Sequence, residues 1–315
     1  MKETFLAVSG GRKLRIVEAG DPNGKLVVYL HGTPAAGNLD ERWATDAQRQ
    51  GIRLVGYDRP ACGASSELPG RRVADAAADV AAIADSLGFP RFALWGISGG
   101  GPHALACAAL LPTRCVAAAS LASPAPPEFG PESRATRVNK EIHCEPLVTL
   151  PEQTKWKADH QDKDLKGALS TLSALEALAS DRPSLKRGFY RLFLPRYIGA
   201  IEARALSPAC ARWSSSSIRW ALQHGIGGAQ DDEIAIYHQP WGIDLAAIRV
   251  PVLLWHGAQD QFVRAAEGQW LAARIPGVET RFPAEDGHVS LAEYRIPEVH
   301  RWLLAKFDTT KSGAS

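Results

Sequence analysis

Short apolar runs rich in valine, isoleucine, leucine and aromatic residues recur along the 315-residue chain, each bounded by turn residues. They occupy 14–20, 26–32, 52–58, 92–98, 115–121, 250–257 and 278–283. Runs with so few polar interruptions suit strands covered on both faces, as in a parallel sheet. Helical stretches fall between them, at 39–50, 72–87, 101–111, 264–275 and 292–306. This alternation predicts an α/β fold: a mostly parallel sheet covered by helices on both faces, with right-handed crossovers. The alternation stops after residue 121. The stretch SPAPPEFGP (123–131) holds four prolines, which neither continue a strand nor enter a helix interior. From about 132 to 240 the patterns are helical, without a strand, and alternation then resumes at IRVPVLLWHG. The chain is therefore expected to fold as a core of 1–124 and 241–315 interrupted by a helical cap at 125–240.

Composition narrows the function. A net charge of +2 with acids and bases interleaved gives no basic footprint for nucleic acid and no polybasic membrane anchor. No run approaches the ~20 apolar residues of a transmembrane helix, and the N-terminus lacks the apolar core of a signal peptide. Five scattered cysteines (62, 107, 115, 144 and 210), odd in number and without a C-x-x-C pair, suggest buried thiols in a reducing compartment. A cytoplasmic protein without a bound metal is expected.

The candidate chemistry begins at LWGISGGGP (94–102), where a predicted strand meets a predicted helix. Gly96-Ile97-Ser98-Gly99-Gly100 fits G-x-S-x-G in the strand–turn–helix context the motif requires. A serine thrust out at so sharp a turn crowds the positions two before and two after it, which calls for Gly96 and Gly100. A glycine-rich turn is the bland reading, and a phosphate loop is a poorer one, since there is no G-x-G-x-x-G start and no G-K-[ST]. A serine nucleophile needs a base, and the base needs an orienting acid. On such a sheet these follow in the order serine, acid, histidine. Asp260 lies just past the strand VPVLLWHG, and His288 lies in the loop before the last helix. Both loops leave the carboxyl edge of the sheet, as Ser98 does. Taken singly, His288 reads as a surface histidine and Asp260 as a helix cap. His31 and His256 read as loop braces, and Glu285 and Asp286 as solvated loop acids. The oxyanion needs N–H donors: Gly99 supplies one, and the loop HGTPAAG (31–37) offers Thr33, since Pro34 has none.

With HGTP (31–34), YDRPACGAS (57–65), WGISGGGP (95–102), LLWHGAQDQFV (253–263) and EDGHVSL (285–291), the sequence resembles the α/β-hydrolase superfamily. The resemblance implies a Ser98–Asp260–His288 triad, an oxyanion hole at Thr33 and Gly99, and a cap inserted after the sixth core strand. The DRPACGAS loop departs from the family's commoner D-R-x-G-x-G-x-S form, and Asp58 and Arg59 are read as structural. Dehalogenases and epoxide hydrolases of this fold need a carboxylate at the elbow, where this chain has serine. Proline iminopeptidases carry a glycine-richer loop than HGTPAAG.

The predicted cap is rich in aromatics: Trp156, Phe189, Tyr190, Phe193, Tyr197, Trp213, Trp220 and Tyr237. Most are expected to pack the cap's own core. Trp213, Ser217 and Trp220 share a helix face and, with His103 one turn past Ser98, are candidates for the substrate pocket. The expected activity is hydrolysis of a mainly hydrophobic small-molecule carboxylic ester, with no cofactor. Thioester or lactone hydrolysis, acyl transfer, and C–C or hydroxynitrile cleavage run on the same triad. A small-ligand receptor is the non-enzymatic alternative.

Overall fold

A computed structural model describes residues 1–130, 150–179 and 198–309. Eight strands form one sheet in the order β1-β2-β4-β3-β5-β6-β7-β8. They are β1 (Lys2–Ala7), β2 (Lys13–Gly20), β3 (Lys25–Leu30), β4 (Ile52–Tyr57), β5 (Phe92–Ile97), β6 (Cys115–Leu121), β7 (Val252–Trp255) and β8 (Glu279–Arg281). From β4 through β3 to β8 the pairing is parallel, whereas β1–β2 and β2–β4 are antiparallel.

Strand β1 was not expected. Its residues alternate between exposed and half-buried, because it is an edge strand packed on one side only. The other strands match the apolar runs to within about two residues at their ends. The run 92–98 stops at Ile97, and Ser98 is already outside the sheet.

Helices α1 (Glu41–Gln50), α2 (Ala76–Ser86) and α3 (Gly100–Leu110) precede the point where alternation stops. Among the described residues of 125–240, every regular element is helical. These include α4 (Leu150–Ala179), α5 (Ala200–Ala205), α6 (Pro208–Ala221) and α7 (Gly227–Tyr237). The core resumes with β7, α8 (Ala265–Ala272), β8 and the C-terminal helix α9 (Ile296–Thr309). Of the aromatics expected in the cap, Phe189, Tyr190, Phe193 and Tyr197 lie outside the described residues, as does Cys144.

The strand period of two divides the core. Leu26, Val28 and Leu30 join α2, α3 and α8 in one apolar layer, and Val27 and Tyr29 join α1 and α9 in the other. Both faces of the sheet are thereby covered. The inserted helices add a small core of their own, with Leu172, Leu175 and Leu178 of α4 against Ala211 and Ile218 of α6. Cys62, Cys107, Cys115 and Cys210 are free and buried. No described helix is long and apolar enough to cross a membrane.

The registers fix the working edge. Ile97, Leu121, Trp255 and Arg281 pair in one row across β5, β6, β7 and β8. The residue after each of the first three strands continues the ladder: Ser98 N–H donates to Leu121 O, Ala122 N–H to Trp255 O, and His256 N–H to Arg281 O. The loops carrying Ser98, Asp260 and His288 all leave from this row.

Candidate active site

Ser98 sits at φ 54°, in the left-handed region that few non-glycine residues enter. The turn is held by Ser98 N–H to Leu121 O at 2.8 Å and by Gly101 N–H to Ser98 O at 2.9 Å. Its neighbours leave no room for side chains. A Cβ at Gly96 would lie 2.1 Å from Gly100 O, and one at Gly100 would lie 2.1 Å from Leu30 O. Both obstacles are backbone and cannot swing aside. The glycines of the motif are therefore dictated by close approach, and the strain at Ser98 is sustained by the ladder on one side and α3 on the other.

Asp260 and His288 meet across their loops, with His288 Nδ1 2.8 Å from Asp260 Oδ2. The other carboxylate oxygen, Oδ1, accepts the N–H groups of Phe262 and Val263, each at 2.8 Å. Asp260 thus does both things its sequence position suggested: one oxygen caps the turn before α8 and the other holds the imidazole. Burial works against its charge, yet His288 and His256 outweigh it and keep the carboxyl below its ordinary range. Burial likewise opposes a charge on His288, but the Asp260 carboxylate, with help from Glu202, raises its pKa above 6.5. Because Asp260 accepts a hydrogen bond from Nδ1–H, Nε2 carries the lone pair. Among the described residues, no hydrogen bond joins Nε2 to Ser98 Oγ. The ring of Phe262 lies 5.1 Å from that of His288, giving the base an apolar neighbour.

Glu202, on α5, is a contributor the sequence did not reveal. It is fully buried, and its two oxygens accept the backbone N–H groups of His288 and, at 2.7 Å, of Val289. It caps the helical turn His288–Ser290 from outside the core. Nothing in AIEARA marks this glutamate off from any other helical glutamate. Asp286, expected in solvent, is 2% exposed. It accepts from Arg295 Nε at 2.9 Å, in the helical turn that leads into α9. Glu285 remains exposed. His256 braces its loop through Nε2 to Val263 O at 3.0 Å.

The loop after β3 runs alongside the serine. A Cβ at Gly32 would lie 3.3 Å from Ser98 Cβ. The Thr33 side chain covers Gly99, whose own Cβ would come 2.5 Å from Thr33 Oγ1 and 3.2 Å from Ile236 Cδ1. His31 braces the loop: Nδ1 donates to Gly32 O at 2.7 Å, and Nε2 accepts Arg59 N–H at 3.1 Å. Burial and the Arg59 charge depress its pKa far enough to keep it neutral. Asp58 is fully buried and accepts from Gly37 N, Ala64 N, Arg15 Nη1 and Trp220 Nε1.

The four pocket candidates have other contacts. Trp213 donates to Asn38 O at 2.9 Å and packs on Trp43 at 4.5 Å. Ser217 Oγ accepts Ala36 N–H at 3.0 Å and donates to Ala36 O at 3.1 Å. Trp220 donates to Asp58 Oδ2 at 2.8 Å, with the Arg15 guanidinium 4.2 Å over its ring. All three sit on one face of α6, as expected, and that face seats the insertion on the core's loops. A cleft of about 500 Å³ beside Trp213 is lined by Arg15, Asn38, Asp40 and Arg42, and not by Ser98 or His288. His103 is buried. Its Nδ1 donates to Gly99 O at 2.8 Å, and burial pushes its pKa down to about 3. It lines a cavity of only about 10 Å³ with Tyr57, Arg59 and Arg71, behind the elbow. Among the described residues no group of three or more histidines, cysteines or acids is arranged to hold a metal ion.

A mostly parallel sheet with a strained serine at the end of β5, an acid after β7 and a histidine after β8 defines an architecture of the α/β-hydrolase class. The sequence profile described as alpha/beta hydrolase fold matches residues 25–293, and the chain belongs to that family. Solved structures share the fold over nearly the full chain. A hydrolase from Pseudomonas aeruginosa PA01 is 20% identical, with 97% of this chain and 98% of that one covered at a TM-score of 0.64. An esterase from Exiguobacterium antarcticum is 20% identical, with 96% and 98% covered at 0.64. An enol-lactonase from Burkholderia xenovorans LB400 is 19% identical, with 97% and 100% covered at 0.62. No curated protein matches the sequence.

Proposed function

We propose that this chain is a serine hydrolase that cleaves carboxylic esters of small, mainly hydrophobic molecules, with 125–240 acting as its cap. The observation that carries this reading is the His288–Asp260 pair, bonded at 2.8 Å, on the same sheet edge as a serine strained to φ 54°. Ser98 Oγ attacks the ester carbonyl, and His288 Nε2 takes its proton. Contacts of this kind often close only when substrate seats. Asp260 holds the Nδ1–H tautomer and stabilises the imidazolium. The Thr33 and Gly99 N–H groups receive the oxyanion. His288 returns the proton to the leaving alcohol, then activates the water that releases the acid from the acyl-enzyme. The reaction so proposed uses no cofactor. Phe262 beside His288 favours an apolar substrate.

The test joins labelling to turnover. Wild type should react with a fluorophosphonate at Ser98 and hydrolyse p-nitrophenyl esters, with rates that depend on acyl length. A simple lactone belongs in the same panel, since it is a cyclic ester. Ser98→Ala should fold and lose both properties. Wild-type turnover by Ser98→Ala would overturn the mechanism, and turnover confined to strongly charged esters would overturn the substrate class.

A further inference from the structure

A buried carboxylate of the insertion, distinct from Glu202, takes no part in the reaction proposed above. Asp232, on α7, is fully buried, and each of its oxygens accepts two hydrogen bonds. Oδ1 takes Arg59 Nε at 3.0 Å and Arg71 Nη2 at 2.5 Å. Oδ2 takes Arg59 Nη2 at 2.5 Å and the Thr33 hydroxyl at 2.7 Å. The two guanidinium groups are themselves almost wholly buried. Their charges and hydrogen bonds overcome the burial penalty and keep Asp232 ionised.

This network grips the loop of the oxyanion hole at consecutive residues. Arg59 donates to His31 O and, at 3.3 Å, to Gly32 O. Its Nη2 lies 3.3 Å from Thr33 Oγ1, which Asp232 holds from the other side. A donor works in the transition state only when it is held within roughly 0.5 Å of its productive position. Pro34 restricts the Thr33 backbone, and His31 and Arg59 hold the Gly32 carbonyl of the peptide that carries the Thr33 N–H. The Thr33 hydroxyl is a further hold on that residue, and it is the one supplied by the insertion.

We infer that Asp232 is a positioning residue for the oxyanion hole, holding the Thr33 hydroxyl so that the Thr33 N–H stays aimed at the reacting carbonyl oxygen. The inference rests on the assignment of Thr33 and Gly99 as oxyanion donors. It makes the inserted helix part of the catalytic frame, because Asp232 and Thr33 lie 199 residues apart and meet only when α7 is docked.

The test uses the full chain and the ester panel. Thr33→Val keeps the β-branched shape and the N–H but removes the hydroxyl, while the Asp232–arginine pairs stay intact. It should lower kcat by roughly 10- to 100-fold with KM changed less than about threefold, since only transition-state contact is impaired. Thr33→Ser restores the hydroxyl and should return kcat to within about threefold of wild type. Asp232→Asn should lower kcat at least as far, and the Asp232→Asn/Thr33→Val double variant should be no slower than Asp232→Asn alone. If Asp232→Asn does not fold, the Thr33 pair decides. Wild-type kcat in Thr33→Val, equal losses in the valine and serine variants, or a KM effect alone would each overturn the inference. Failure of the hydrolase reading is separate, because it shows as activity surviving in Ser98→Ala.

Discussion

Glu267 provides a quantitative test of the packing beneath the acid loop. It lies on α8, 1% exposed, and its Oε2 accepts the N–H of Ala125 at 2.9 Å, just where the chain leaves the core for the insertion. Burial raises its carboxyl from 4.5 to about 7; the Ala125 and Arg264 amides only partly offset this, and the Asp260 charge adds to it. Between pH 4.5 and 7 the folded chain keeps a proton that the unfolded chain has released. The stability tied to that proton is complete below 4.5 and is lost as pH rises through about 7. A shift of roughly 2.5 units at 1.36 kcal/mol each comes to about 3 kcal/mol. Glu267→Gln keeps the shape and an acceptor for Ala125 but cannot ionise. Urea unfolding at 25 °C should give the variant a stability equal to wild type at pH 4.5 and about 3 kcal/mol greater at pH 8. Taking the difference between the two proteins cancels the titrating groups that do not interact with Glu267. Stability curves that stay parallel within about 0.5 kcal/mol across that range would refute the reasoning, since a change of that size is typical of an inert surface site.

Three further outcomes are expected. Because neutral His288 is the base and its pKa lies above 6.5, kcat/KM should rise with pH through that pKa, and Asp260→Asn should lower kcat by about 10⁴-fold; a pH–rate profile flat from 5 to 8 would contradict this. Glu202 adds to the rise in the His288 pKa, so Glu202→Gln should move the acidic limb of that profile to lower pH; an unmoved limb would show that its charge is not felt. Trp220→Phe removes one donor from the buried Asp58 carboxylate and should cost about 1.5–3 kcal/mol in urea unfolding, whereas a loss below about 0.5 kcal/mol would mean the contact contributes nothing to seating the insertion.

The sequence by itself determined what depends on near neighbours. Apolar runs and helical periods marked the strands from β2 to β8 and their covering helices, because a strand buried on both faces excludes polar residues locally. The glycines at 96 and 100 marked the elbow, because the clash they avoid is with backbone a few residues away or one strand over. The common edge of the loops carrying Ser98, Asp260 and His288 was legible from their places after β5, β7 and β8, since parallel strands deliver their following loops to one edge. Strand β1 escaped because an edge strand needs few apolar residues. Only the tertiary structure decided which surface α6 presents to what. The shared face of Trp213, Ser217 and Trp220 was visible, but its partners at Asn38, Ala36 and Asp58 lie 175, 181 and 162 residues away. Asp232, Glu202 and the buried Asp286 carry no local signature either. An aspartate or glutamate on a helix looks the same whether it meets water or two arginines, and the difference is made by desolvation that only docking imposes.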